Sequence, residues 1–199
     1  MRGERLDRAL VTSEGIPGDR IVHVADERGQ VISARRAPRL LLLSGRLGED
    51  GEPLVDERPW RDDSVADDVR RAAGNGARLA RWTGPERFDV LPLLVATDGA
   101  IAALGYDARR FRPNLVLGGV AGLEERTWEG RRLAIGAAVI SAVQLRKRCV
   151  MTTFDPDTGE QDVGVLRRIH RELDGTFALD SRVEDPGEVR VGDAVRPID

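Results

Sequence analysis

The stretch "RRLAIGAAVISAVQL", residues 131–145, constrains the fold more than any other. It reads as one long strand whose small residues let it bend at Gly136. Other strand signals surround it. "LPLLVAT" (91–97) predicts a buried strand, strands dominate again from "NLVLGG" onward, and "GTFALDSRVEDPGEVRVGDAV" predicts two strands around a turn at Pro186-Gly187. Upstream, "RIVHVADERGQVISA" (20–34) alternates around "DERG" and predicts a hairpin. "LLLLSGRL" (40–47) is too short for a typical helix and suits a strand buried on both faces.

Helical signals are few. Ser64 can cap a short helix, with Asp67 completing a capping box and Gly74 ending it. A second segment, 98–105, is capped by Asp98 and ended by Gly105. In a third, 162–173, Val163, Leu166, Ile169 and Leu173 share one face. "RCVMTTFDPDTGEQD" (148–162) reads as a hairpin with Pro156, Asp157 and Gly159 in its turn. The polar, Gly- and Pro-containing stretch 48–62 marks a boundary between residues 1–62 and 63–199. Together these signals predict a strand-rich α+β protein, a closed or half-closed β-barrel with a few short helices.

A chain of 199 residues holds one substantial core or two small units. Its net charge of −3 offers no global basic field for nucleic acid or an anionic membrane. No apolar run approaches the ~20 residues that span a bilayer, and "MRGERLDRAL" has no apolar signal core. The expectation is a cytoplasmic protein. One cysteine excludes an internal disulfide and any metal cage built of several thiolates. The two histidines, His23 and His170, stand far apart in sequence. Trp60, Trp82 and Trp128 are scattered and read as packing or interface aromatics.

No Walker loop, dinucleotide fingerprint or nucleophile elbow is present. What remains is a set of Arg, Asn, Thr and Cys positions near strand ends. Cys149 follows Arg146, Lys147 and Arg148, and a positive field favours thiolate. A thiolate there would ligate a soft metal centre or carry sulfur. The plainer alternative is a small strand residue whose basic neighbours face water. Arg112 and Asn114 in "RFRPN" offer a two-pronged phosphate contact and a donor–acceptor edge, or else a solvated rim and a strand start. Arg20 ends a Pro-Gly-Asp turn and points either to solvent or to an anion. Thr97, between a strand and a helix, is either a cap or part of an anion site.

"RRFRPNLVLGG", "TWEGRRLAIG", "RCVMTTFDPDTGEQD" with "VLRRI", and "PGEVRVGDAV" occur in an order that resembles the MOSC domain. That module is named for the C-terminal part of molybdenum cofactor sulfurases. The first forty-odd residues are similar to the N-terminal β-barrel segment that precedes it in the amidoxime-reducing branch. The resemblance implies a MOSC-type β-barrel with an N-terminal β segment packed against it, holding a molybdopterin-type molybdenum cofactor between the two. It carries the metal-ligating cysteine onto Cys149, with Arg148 beside it in the same motif. The cofactor-contacting residues fall on Arg20, Thr97, Arg112 and Asn114.

The implied activity is reduction of N-oxygenated small molecules, with electrons from a separate redox protein. Two alternatives use the same residues. One is a sulfur carrier or sulfurtransferase with Cys149 as persulfide acceptor and a cysteine desulfurase as partner. The other is a non-catalytic cofactor-binding module. In the amidoxime-reducing branch a Lys-Ser pair precedes the segment equivalent to "RGERL". Its expected absence beside Met1-Arg2-Gly3 would weaken phosphate binding by on the order of 1–3 kcal/mol. Asp98 adds negative charge next to Thr97 and is expected to count in the same direction.

Overall fold

The computed structural model describes residues 1–84 and 87–198, so the chain's final residue, Asp199, lies outside the described residues. In its first half the strands are β1 (Arg8–Val11), β2 (Val22–Ala25), β3 (Gly45–Leu47), β4 (Pro53–Val55), β5 (Arg58–Pro59) and β6 (Arg78–Arg81). The second half adds β7 (Leu93–Thr97), β8 (Leu115–Leu117), β9 (Arg132–Ile135), β10 (Ala138–Lys147), β11 (Thr176–Asp185), β12 (Gly187–Arg190) and β13 (Val195–Ile198). The α-helices among the described residues are α1 (Asp63–Ala73), α2 (Asp98–Leu104) and α3 (Val163–Leu173). The expected strand-rich α+β class is what the chain adopts.

Two units divide the chain, and each is described by itself. The larger comprises Leu6–Pro17, Phe88–Thr153 and Asp162–Asp199. Its six-stranded sheet has the order β13-β9-β10-β11-β7-β8, antiparallel except for the parallel pair β7–β8. Register shifts along β10 against β11 mark bulges, which bend a strand and raise its twist, and the sheet curls into a half-barrel. β1 and β12 form a separate antiparallel ribbon.

Period-two alternation explains why β7 is apolar on both faces. Leu93 and Val95 enter a cluster with Ile140, Leu179 and Trp128 on one side. Leu94 and Ala96 face the other side, where α2 and α3 pack through Ala100, Leu104, Val165, Ile169 and Leu173.

The smaller unit comprises Met1–Arg5, Gly18–Arg87 and Phe154–Gln161. It pairs β2 with β6 and orders β3-β4-β5 in a second sheet. Val65 and Val69 of α1 fill its core together with Val24, Leu40 and Val55.

Several local expectations need correction. Residues 38–42 form a 3-10 turn started by Pro38, with Leu40 and Leu41 buried, and only Gly45–Leu47 is strand. The 20–34 hairpin reduces to one bridge, Ala25↔Val31, because β2 takes β6 as its partner. The strand predicted over 131–145 is two, since the chain reverses at Gly136 (φ 54). Asp62, not Ser64, caps α1 by accepting from the Ser64 N–H at 2.8 Å. Thr97, not Asp98, caps α2. The core stripe of α3 is Val165, Ile169 and Leu173, while Val163 is 45% exposed.

Candidate functional site

β10 ends at Lys147, and the next two residues carry the chain into a 3-10 turn at Val150–Thr153. The expected hairpin here is that turn followed by the single bridge Phe154↔Gln161. Thr152 and Thr153, both buried, build the turn from within. Thr152 Oγ1 donates to the Cys149 carbonyl at 3.0 Å, and Thr153 Oγ1 donates to the Val150 carbonyl at 2.7 Å. These short-range hydroxyl bonds compete with strand pairing and explain why a Thr-Thr pair follows the cysteine. Cys149 is a free thiol, half-buried.

The three basic residues before Cys149 have different fates. Arg146 donates to Asp180 at 3.2 Å and to Asp89 at 2.7 Å. Lys147 faces solvent. Arg148 turns inward: its backbone N–H donates to the Gly175 carbonyl, and Nη2 donates to the Phe111 carbonyl at 2.7 Å. Among the described residues its buried Nε has no hydrogen-bond partner. Burial, with Arg146 adding to it, lowers the guanidinium to about 10. It is therefore charged at neutral pH, and a buried cationic donor without an acceptor is costly.

Phe111 belongs to the second part of the site, the loop from Ala108 to Asn114. Its 3-10 turn, Ala108–Arg110, sends Arg110 Nη1 to the Thr153 carbonyl at 3.0 Å. The two segments thus clamp each other, each contributing an arginine to a carbonyl of the other. Arg112 follows in the left-handed region (φ 57) with its side chain exposed, and its charge helps lower Arg148. Asn114 is fixed by two bonds with Leu94: its N–H donates to the Leu94 carbonyl at 2.8 Å and its Oδ1 accepts from the Leu94 N–H at 2.9 Å. This side-chain pair extends the β7–β8 ladder by one residue.

Thr97 is fully buried. Its hydroxyl accepts from the Ala100 N–H at 3.2 Å and donates to Glu125 Oε2 at 3.2 Å. Burial pushes the Glu125 carboxyl up. The Asp98 carboxylate accepts from the N–H groups of Gly119 at 2.7 Å, Gly99 at 2.8 Å and Val120 at 3.1 Å. The Gly119 and Val120 bonds hold it below the usual carboxylate range. Its charge is thus committed to tying the 118–120 loop to α2. Arg20 lies in the smaller unit, also in the left-handed region (φ 55), beside Asp19 at 3.7 Å.

In the larger unit, Cys149, Arg148 and Arg112 come together through the clamp, Asn114 anchors its loop, and Thr97 sits at the buried end of the neighbouring strand. Arg110 and Asp180 are additions that the sequence reading missed. Asp180 could have been found as the single acid within the apolar run "FALDS", where a buried carboxylate needs a partner. Arg110 carries no such signal, because its partner is a backbone carbonyl.

The chain belongs to the MOSC domain family, as two family models and the relatives at 30% identity or more show. The MOSC domain model matches residues 96–196, and the model for the MOSC N-terminal beta barrel domain matches residues 1–86. Among individual relatives, the chain is 32% identical to mitochondrial amidoxime reducing component 2 of Macaca fascicularis, over 98% of this chain and 78% of that protein. It is 31% identical to human mitochondrial amidoxime-reducing component 1 with the same coverage. A match to human component 2, at 34% identity, covers 54% of this chain and only 37% of that protein. The solved structure of YuaD from Bacillus subtilis aligns with a TM-score of 0.45 at 14% identity, covering 96% of this chain and 85% of that one. No helix among the described residues is long and apolar enough to cross a membrane.

Proposed function

We propose that the protein binds a molybdenum cofactor of the molybdopterin type and reduces N-oxygenated small molecules, with the Cys149 thiolate as the protein ligand to the metal. The observation that carries this reading is the buried Arg148 Nε, which has no partner among the described residues and lies within the clamp next to Arg112. An anionic organic group fits such a place, since it supplies the acceptor that the protein withholds. Among the described residues no group of three His, Cys, Asp or Glu side chains gathers to hold a metal. A metal at Cys149 would therefore take its other ligands from the cofactor.

When bound, the cofactor supplies two-electron redox chemistry at the metal. The protein's own contributions are positional. Arg148 and Arg112 offer N–H donors and positive charge to the anionic portion. Asn114 fixes the loop that carries Arg112. Thr97, through Glu125, locks the adjoining strand end. Arg20 is proposed as a further phosphate contact because Gly18-Asp19-Arg20 resembles the family's Gly-Asp-Arg motif. Cleavage of an N–O bond in this way takes two electrons and two protons and releases water, and the electrons come from a separate redox partner, as the single cysteine cannot build a cluster.

The test is turnover of an aryl amidoxime to the amidine by cofactor-loaded protein supplied with a chemical reductant. Turnover that vanishes in Cys149→Ala supports the reading. Loaded protein that leaves the amidoxime intact while Cys149 gains the mass of one sulfur from a cysteine desulfurase overturns it in favour of sulfur transfer.

A further inference from the structure

Helix α3 carries more apolar surface than its core uses. Val165, Ile169 and Leu173 face the core, yet Val163 and Leu166 stand on a different stripe, three residues apart, continued by Arg167, His170 and Arg171. That second stripe lines an open cleft of about 590 Å³ against Val150 of the 3-10 turn. A volume of this size, with a mostly apolar lining and a few polar groups, matches small-molecule sites.

We propose that this cleft binds a small amphipathic organic anion, a carboxylate on an apolar chain. Val150, Val163 and Leu166 supply the apolar lining, and Thr153, Arg167, His170 and Arg171 supply the polar groups. Arg171 pairs with Glu172 at 2.7 Å. The side chains of Arg167 and His170 make no ion pair or hydrogen bond with any other described residue, so they are open to a ligand. An apolar floor alone would accept any greasy molecule. With Arg171 engaged by Glu172, Arg167 is the guanidinium that selects an anion, to which it offers a two-pronged contact. The inference does not rest on the cofactor reading, although the cleft borders the same turn: Val150 and Thr153 line it, while Cys149 and the clamp arginines do not.

Calorimetric titration of the full chain with decanoate, 1-decanol and a deca-glutamate peptide tests it. Decanoate is expected to bind saturably, one per chain, and about tenfold more weakly in Arg167→Gln. In Leu166→Asp binding should fall below detection, with the thermal melt checking that both variants fold. Decanol should bind at least about tenfold more weakly than decanoate. Three results would overturn the proposal: no saturable decanoate binding, equal affinity for decanol, or an affinity unmoved in both variants. Binding of the acidic peptide in place of decanoate would also overturn it, by assigning the cleft to a protein partner.

Discussion

Arg112 holds its backbone at φ 57, a region that costs a side-chain-bearing residue on the order of 1–2 kcal/mol and glycine almost nothing. Keeping an arginine there makes sense if the side chain is needed. Arg112→Gly is accordingly expected to be about 1 kcal/mol more stable than Arg112→Ala in urea unfolding, while both lose cofactor retention alike. Equal stability would show that the position carries no strain.

Arg148 makes the complementary case for a buried charge. Its folded value of about 10 lies below that of an exposed arginine, so the folded state releases its proton first. Stability linked to this group is therefore lowest below pH 10 and rises only as the pH climbs from about 10 toward the higher value of the unfolded chain. Arg148→Met removes that penalty but also the bond to the Phe111 carbonyl, worth about 1 kcal/mol. The cofactor-free variant is expected to be more stable than the natural chain by roughly 1–2 kcal/mol. A less stable variant would mean that the charge is already satisfied.

At the scale of elements, α2 lies so close to the 120–122 loop that there is no room for change. A Cβ on Gly99 would lie 2.0 Å from the Val120 carbonyl oxygen, so Gly99→Ala is expected to cost about 3 kcal/mol or more, readable as a fall in the melting temperature. The Thr97–Glu125 pair beneath α2 adds a pH dependence. Burial raises the Glu125 carboxyl, so the folded state keeps a proton that the unfolded chain gives up near pH 4.3. Stability from this group therefore falls as the pH rises from that value through the raised one. Glu125→Gln is expected to flatten that fall and to leave the chain more stable than the natural one at neutral pH, read from urea unfolding at a series of pH values.

Which elements could be foreseen follows from how local their causes are. β7 and β11 were legible because their apolar runs fill two cores at once. The 3-10 turns at 38–42 and 150–153 were not, since the first depends on burying Leu40 and Leu41 and the second on hydroxyl bonds to nearby carbonyls. α3 misled because it has two apolar stripes, and periodicity alone does not say which faces the core.

For the whole molecule, a net charge of −3 conceals a local excess of arginine around Arg148. The candidate residues were visible as motifs, but their division of labour was not. Arg146 turned out to be engaged by two aspartates, Thr97 to be a buried cap, and Arg148 to be the inward cation. Those assignments depend on strand register and on which carbonyls are within reach, neither of which a linear sequence displays. The central claim is that Cys149 and the arginine clamp hold a molybdenum cofactor. The most direct measurement is the molybdenum and pterin content of the natural chain and of Cys149→Ala, both purified from a host that makes the cofactor. About one molybdenum per chain, lost in the variant, is the expected result; equal molybdenum in both, or none in either, would contradict it.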